Sequence, residues 1–562
     1  MIFFQNIKGK KMFVRTKSTP NSPRKSIQIV ESIRDGNKVK QRIIRHVGIA
    51  MNDKEEKKLK DLAEFIKAEI EQEHTPSLFS PEVLAEMAIS SRRQKEEDFN
   101  VKLNELKEEQ RTVVGIHDVY GRIFNELGFN KLLKSHHGLS ANTVLKNVIL
   151  ARIANPSSKR SSVMHLEKDF GIQINLEKVY RMMDKLDDNT CLQMQEMAYQ
   201  STLKLFNGKI DVIFFDATTL YFESFTEDKL KKNGFSKDHK FNQPQVLLSL
   251  MVTKDGLPIG YNVYPGSTYE GNTLIPALKK IKEKYEVDKV VFVADAGLFN
   301  KQNLSQLNAH GFKYIVASRL RSLSREWKEK ILNQNFYTQK KLGEKLATFE
   351  YEKDKRLIVT YNDERARKNS HDRKKAIEKL LQKLNKNKSP SGLISNYGYK
   401  KFLKMEGKST VTINEKKISE DAKWDGLHGI ITNCFDMTEE DALSHYRGLW
   451  QVEESFRITK HDLKVRPIFH WTPRRVKAHI AIAFMAFCAI RNLEYRIKIQ
   501  YKKLSPEAIR IALTRVQASI LKDQNGQRYV VPSKFSYDAK KIYQFMGLST
   551  SSTPYKLSKT EI

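Results

Sequence analysis

Cysteine is nearly missing from these 562 residues: only Cys191, Cys434 and Cys488 occur, with no Cys-x-x-Cys or Cys/His spacing. That excludes a disulfide framework and a zinc ribbon, and it suits a reducing cytoplasm. The opening MIFFQNIKGKKMF lacks the apolar stretch of a signal peptide. The longest apolar run, Ile480 to Ile490, is 11 residues between His479 and Arg491. It is too short to cross a bilayer and reads as a buried helix, so a soluble protein without a membrane partner is expected. There is no P-loop, nucleophile elbow or clustered Cys/His dyad, and so no evident side-chain nucleophile. Acidic residues are in deficit: 66 Asp and Glu face 99 Lys and Arg, leaving a net charge of +33. A field of that sign attracts polyanions, nucleic acid foremost.

Positive charge is densest at the start. Residues 1–50 hold 12 Lys/Arg and two acids, Glu31 and Asp35. SIQIVESIR and KVKQRIIRHV alternate around Asp35-Gly36, which predicts a hairpin and a basic β-ribbon over 1–52, either a solvated ribbon or one lying on DNA. Residues 53–110 carry Lys and Glu at helical spacing and read as a solvated helical linker. Residues 111–205 are helical in pattern, broken at Gly128, Gly138, Asn155-Pro156 and Gly171. IARIANPSSKRSS offers phosphate donors at a helix end there, which suits a helical DNA-binding domain.

From 206 the period changes. DVIFF, QVLLSLMV, IGYNVY, KVVFVA and KYIVAS read as strands, with helices NTLIPALKKIKEKY and NKQNLSQLNAHG before the last two. Three strands followed by helix, strand, helix, strand is the order of a ribonuclease H-like α/β core, a meander extended by parallel strands through helical crossovers. That core spans 206–318 and resumes over 425–500. Between them, 319–424 reads as a β-rich insertion domain with one very basic stretch: Arg365 to Lys388 holds ten Lys/Arg and two acids. A helical, basic tail is expected over 501–562.

Asp216 and Asp295 each directly follow an unbroken apolar strand. Side by side, two carboxylates repel unless protons or cations fill the gap, and hard divalent ions prefer oxygen donors. A pair of helix N-caps at strand ends would give the same local pattern. In DALSHYRGLWQVEESFRITKHDL, read as one long helix, Tyr446, Glu453 and Lys460 are spaced seven and seven and share a face. Spacing alone does not separate this from an ordinary amphipathic helix, and Glu454 competes for the role from about 100° away. Three acids holding two ions would suffice for in-line phosphoryl transfer with no side-chain nucleophile.

The residues around these acids resemble the DDE transposases of bacterial insertion sequences, nearest to the insertion-sequence-four-like branch. FFDATTLYFES around Asp216 carries the resemblance, with GFSKDHKFNQPQVLLSLMVTKDGLPIGYNVYPGS, VFVADAGL around Asp295, DGLHGIITN and YRGLWQVEESFRITKHDLKVRPIFHW. It spans roughly residues 110–500, and the opening FVRTKS…VESIRDGNKVKQR is similar to the start of such proteins. The resemblance implies metal-dependent cleavage at element ends and strand transfer into target DNA. It names Asp216, Asp295 and Glu453 as catalytic metal ligands for two Mg²⁺ ions, with Mn²⁺ able to substitute. It further implies terminal inverted repeats and target DNA as double-stranded partners, a homodimer in the synaptic complex, and a nucleoid-associated place in the cytoplasm. The family pattern Tyr, Arg, Glu, Lys falls on Tyr446, Leu449, Glu453 and Lys460, so Leu449 stands where the family has Arg. Arg457, one turn after Glu453, is expected to supply the missing phosphate contact in place of Leu449, with Arg447 as the other candidate. Trp424 would stack on an unpaired base or pack in the fold. Lys237, His239 and His470 would line the DNA path or lie on a solvated surface. A ribonuclease H-like nuclease without strand transfer and an inactive transposase-derived DNA-binding protein are the alternatives.

Overall fold

The basic N-terminal segment folds as an antiparallel sheet in a computed structural model of the chain. The structure describes residues 11–18, 24–35, 38–74, 101–133, 140–223, 225–236, 240, 242–284, 290–295, 301–339, 344–352, 354–386, 398–406, 410–550 and 552–557. The expected hairpin is β2 (Lys25–Asp35) with β3 (Lys38–Ala50), Asp35 opposite Lys38, and β1 (Lys11–Ser18) adds a strand on the far side of β2. The Lys/Glu-rich segment forms a helix, Asp53–His74, but not a freely solvated one. Its Ala63, Leu59, Ile66 and Ile70 cover Ile27, Ile29 and Ala50 of the sheet. Lys25 fixes the helix start, donating to Glu56 at 2.6 Å and Asp53 at 3.0 Å. Further along, β4 (Lys107–Val113) is a strand where a helical linker was expected to end.

The chain divides into two units, residues 1–125, 146–179 and 493–562 in one, and 126–145 and 180–492 in the other. The helical stretch expected to be a single domain over 111–205 is therefore shared between them. The larger unit is built on a nine-stranded sheet. One end of it is the meander β5 (Val212–Tyr221), β6 (Gln245–Thr253) and β7 (Pro258–Pro265), with β7 at the edge. Next to β5 run β8 (Val291–Ala294) and then β9 (Lys313–Ser318), each parallel to its neighbour, reached through helices Leu274–Lys284 and Lys301–Ala309. Strands β5, β6 and β8 are buried along nearly their whole length, which is why they read as unbroken apolar runs rather than alternating ones. The expected turn at Lys254 to Leu257 joins β6 to β7, with Gly256 at φ +78°. Arg491, itself buried, donates to the carbonyls of Asp255 and Gly256 and clasps that turn.

The segment expected as a separate β-rich domain over 319–424 is different in kind. Its strands β10 (Tyr337–Gln339), β11 (Glu344–Glu350) and β12 (Arg356–Tyr361) continue the same sheet. A 24-residue helix, Asp363–Lys386, follows and absorbs the basic stretch. After it β13 (Leu403–Glu406) and β14 (Thr410–Ile413) form a small hairpin. Strand β15 (Leu427–Thr432) then returns between β9 and β12, antiparallel to both. Ala347 and Phe349 of β11 and Leu357 and Val359 of β12 join the same core cluster as β5, β8 and β9, so these strands need no second core. The basic helix is pinned by Arg373, a residue only 7% exposed, whose guanidinium grips Asp425, with Asp421 at 3.5 Å. Asp421 also takes Arg321 and Lys401.

Helix Pro473–Gln500 is long and apolar enough to cross a membrane, and 94% of its apolar window is buried inside the protein, as expected of a core helix. The C-terminal segment is mixed rather than helical. It has helices Pro506–Thr514 and Tyr537–Phe545 together with β16 (Gln517–Lys522), β17 (Arg528–Pro532) and β18 (Tyr555–Lys556). These strands make a four-stranded sheet with β4.

Removing Arg373 leaves Asp425 half-buried without its cation, while Asp421 keeps Arg321 and Lys401. Arg373→Ala is expected to destabilise the larger unit by roughly 3 kcal/mol, read as a shift in denaturation midpoint. An unchanged midpoint would show that this clasp contributes nothing.

Candidate active site

Parallel pairing places the first two carboxylates. Phe215 of β5 lies opposite Ala294 of β8, so Asp216 and Asp295, one residue on from each, stand at adjacent positions of neighbouring strands. Asp216 is half-buried, with Oδ1 accepting from the Ala217 amide at 2.7 Å, and Asp295 is exposed where β8 ends.

The third acid arrives on a helix that is not continuous. The segment expected as one rod is broken at Gly448-Leu449 into Glu439–Arg447 and Trp450–Arg457. The break lets the chain sit on β5: a Cβ at Gly448 would lie 2.6 Å from Phe214 Cζ. Leu449, Val452 and Phe456 are buried on the inner side, while Glu453 is exposed. Leu449 thus serves as an apolar anchor where the family pattern has Arg.

Tyr446 and Glu453 line one cavity of about 650 Å³ with Thr360, Arg365, Lys368 and His428. The Tyr446 hydroxyl is pushed up to about 12, by burial first and then by the charges of Asp295 and Glu453, with Arg365 opposing. It is therefore a neutral donor that feels both acids. His428 stacks on Tyr446 with ring centroids 5.1 Å apart. Burial, then Arg365 and Arg447, lower its pKa to about 4 against the pull of Asp295. It is a neutral imidazole at ordinary pH.

Carboxylate oxygens are the right donors for hard divalent ions. Yet among the described residues no three His, Cys, Asp or Glu side chains stand close enough to hold an ion together. The two aspartates are brought side by side; Glu453 lies on the wall of a cavity whose tyrosine senses Asp295, and is not gathered with them.

The remaining expected site residues fare differently. After Arg457 the helix widens into a π turn, Ile458–Asp462, with the Leu463 amide donating to the Ile458 carbonyl at 2.8 Å. That extra residue spoils the seven-residue arithmetic, and Lys460 is not among the residues lining the cavity of Tyr446 and Glu453. Arg457, expected to reach phosphate, is held by Glu454 at 2.7 Å and Asp462 at 3.2 Å, and those acids raise its pKa further. Trp424 packs partly buried against the main core and also lines a second cavity of about 500 Å³ with Arg319, Arg321 and Arg365. His470 is half-buried between the rings of Tyr180 and His479. Lys237 and His239 lie outside the described residues. Sequence reasoning missed Arg365, Lys368, His428 and Trp450. The basic stretch starting at Arg365 and the motif DGLHGIITN were visible signals, but nothing local aimed them at Glu453.

A family model described as "Transposase DDE domain" matches residues 207–489, just over half of the chain. A second, "IS1634 family transposase, N-terminal domain", matches residues 13–76. Among solved structures the chain is similar to the piggyBac transposase in a synaptic complex with hairpin DNA, at 8% identity and TM-score 0.38, over 72% of this chain and 79% of that one. It is also similar to the Mos1 transposase in a paired-end complex with the left transposon end, at 11% identity and TM-score 0.14, over 45% of this chain and 76% of that one. No curated protein sequence matches it.

Two outcomes are expected. Gly448→Ala forces the Glu453 helix off Phe214, costing about 1–3 kcal/mol and lowering DNA cleavage beyond the loss of folded protein; an active variant with unchanged melting would refute the close approach. For His428 the folded pKa lies below the unfolded one, so its contribution is complete above about 6.5 and is lost as pH falls towards about 4. Over that window wild type should lose roughly 2 kcal/mol more than His428→Asn, measured by denaturant titration at each pH.

Proposed function

This chain belongs to the DDE transposases of bacterial insertion sequences, enzymes that cleave DNA strands and transfer them, and we propose that Asp216, Asp295 and Glu453 are its catalytic acids, set in a ribonuclease H-like core. The observation that carries this reading is the register of β5 against β8, which sets Asp216 beside Asp295. The family generally uses divalent metals. Asp216 and Asp295 would hold Mg²⁺, or Mn²⁺ in its place, with Glu453 closing the set from its helix. Bound ions of this kind lower the pKa of an attacking hydroxyl and stabilise the departing 3′-oxygen.

The chain's own groups do the rest. The neutral Tyr446 hydroxyl is available to donate to a phosphate oxygen or to orient Glu453. His428 stays uncharged, so it adds no competing positive charge beside the acids. The basic sheet over 11–50 supplies cations for the phosphate backbone of double-stranded DNA. Terminal inverted repeats of the chain's own element and target DNA are the substrates in this reading, two copies act together in the synaptic complex, and the work is done in the cytoplasm.

The test uses duplexes taken from the borders of the coding region. Asp216→Asn, Asp295→Asn and Glu453→Gln should each reduce Mg²⁺- or Mn²⁺-dependent cleavage by roughly a thousand-fold, about 4 kcal/mol, and leave binding in EDTA intact. Glu454→Gln, whose carboxylate is occupied by Arg457, should cleave nearly as wild type. Joining of the freed 3′ end to a second duplex distinguishes strand transfer from hydrolysis alone. Full cleavage by Asp216→Asn would overturn the assignment.

A further inference from the structure

Phosphodiester chemistry beside Glu453 needs a cation that is not already neutralised, and Arg457 is held by two carboxylates. Two other cations face the same cavity from the basic helix Asp363–Lys386. Arg365 and Lys368 are three residues apart and so share a helix face. Both are exposed, and neither side chain makes a hydrogen bond or ion pair among the described residues. Asn362 caps the helix start, its Oδ1 accepting from the Arg365 amide at 2.9 Å, which fixes the backbone from which Arg365 projects. The cavity they line also holds Tyr446, Trp450 and Glu453, and Arg365 further lines the neighbouring cavity with Arg319 and Arg321. Arg365 therefore stands at the boundary of two adjoining hollows. Its charge reaches both His428 and Tyr446. The carboxylates on the first cavity's walls are Glu364 and Glu453. The helix is anchored one to three turns further on by Asn369, which accepts from the Gly426 amide, and by Arg373.

We propose that Arg365 and Lys368 grip the phosphodiester backbone of the strand being cut, so that the inserted helix, rather than Arg457, supplies phosphate recognition beside Glu453. This rests on the cleavage reading above. A planar guanidinium offers two parallel donors to one phosphate, and the lysine adds a mobile point charge for the same or the next one. Because Arg373 and Asn369 tie the helix to Asp425 and Gly426, which lead directly into β15 of the sheet, the grip positions the strand relative to β5 and β8 and does not merely raise affinity.

The experiment uses the full chain in EDTA, with border duplexes bearing single methylphosphonates stepped along the cleaved strand. Arg365→Gln and Lys368→Gln, separately and together, should weaken binding roughly ten-fold or more. Each should also lower the slope of log affinity against log salt by about 0.9 per lost contact. One neutralised phosphate should weaken wild type and have no further effect on the double variant, a non-additivity that a merely structural role would not produce. Arg365→Lys should keep the salt slope and lose part of the affinity. An unchanged slope in the double variant, or the same loss and non-additivity in Arg457→Gln instead, would overturn the proposal. Because binding in EDTA is read without catalysis, a wild type that binds but never cleaves with Mg²⁺ would count against the catalytic reading alone.

Discussion

Two carboxylates held side by side on neighbouring parallel strands are an unfavourable arrangement, and the larger unit is organised to enforce it. Backbone hydrogen bonding between β5 and β8 sets their positions, and the burial of Val212 to Phe215 and of Val291 to Ala294 prevents either strand from slipping by a residue. A slip would turn one aspartate to the opposite face, at the cost of burying it in the core. The repulsion between the acids is thus opposed by apolar burial on both faces of the sheet, and cations are what would relieve it.

Much of this was legible in the sequence because it is local. Unbroken apolar runs leading into Asp mark β5 and β8, although β5 was expected to end at Asp216 and instead continues to Tyr221; Lys254 to Leu257 marks the turn after β6, and Asp35-Gly36 marks the N-terminal hairpin. What could not be read depends on chain segments distant in sequence. Nothing near β11 or β12 announces that they complete an existing sheet rather than begin a new domain; the partner of β12 is β15, beyond the long basic helix. The C-terminal strands were hidden for the same reason, since β16 pairs with β4 from the opposite end of the chain.

The site shows the same division. Tyr446 and Glu453 were singled out by the family resemblance together with their spacing, which alone did not separate them from an ordinary amphipathic helix, and both line one cavity. Lys460 was assigned on the assumption of a regular helix, which the break at Gly448 and the π turn at Ile458–Asp462 both violate, whereas Arg457 stands one regular turn from Glu453 as assumed but is taken up by Glu454 and Asp462. Arg457 then meets Asp462 across that wide turn, an ion pair that ideal helical geometry would not bring together. His428 of β15 and Arg365 of the basic helix meet Tyr446 from separate elements, a convergence that depends on β15 pairing beside β12 and on the helix packing after β12.

The continuity of the sheet has a mechanical consequence. An inserted domain on a flexible tether would swing independently of the strands that carry the acids. Here an unbroken ladder of hydrogen bonds runs from β11 through β12, β15 and β9 to β8 and β5. The basic helix, clasped through Arg373 to Asp425 just ahead of β15, is therefore attached to the same sheet that carries Asp216 and Asp295 and does not hang from it as a separate body.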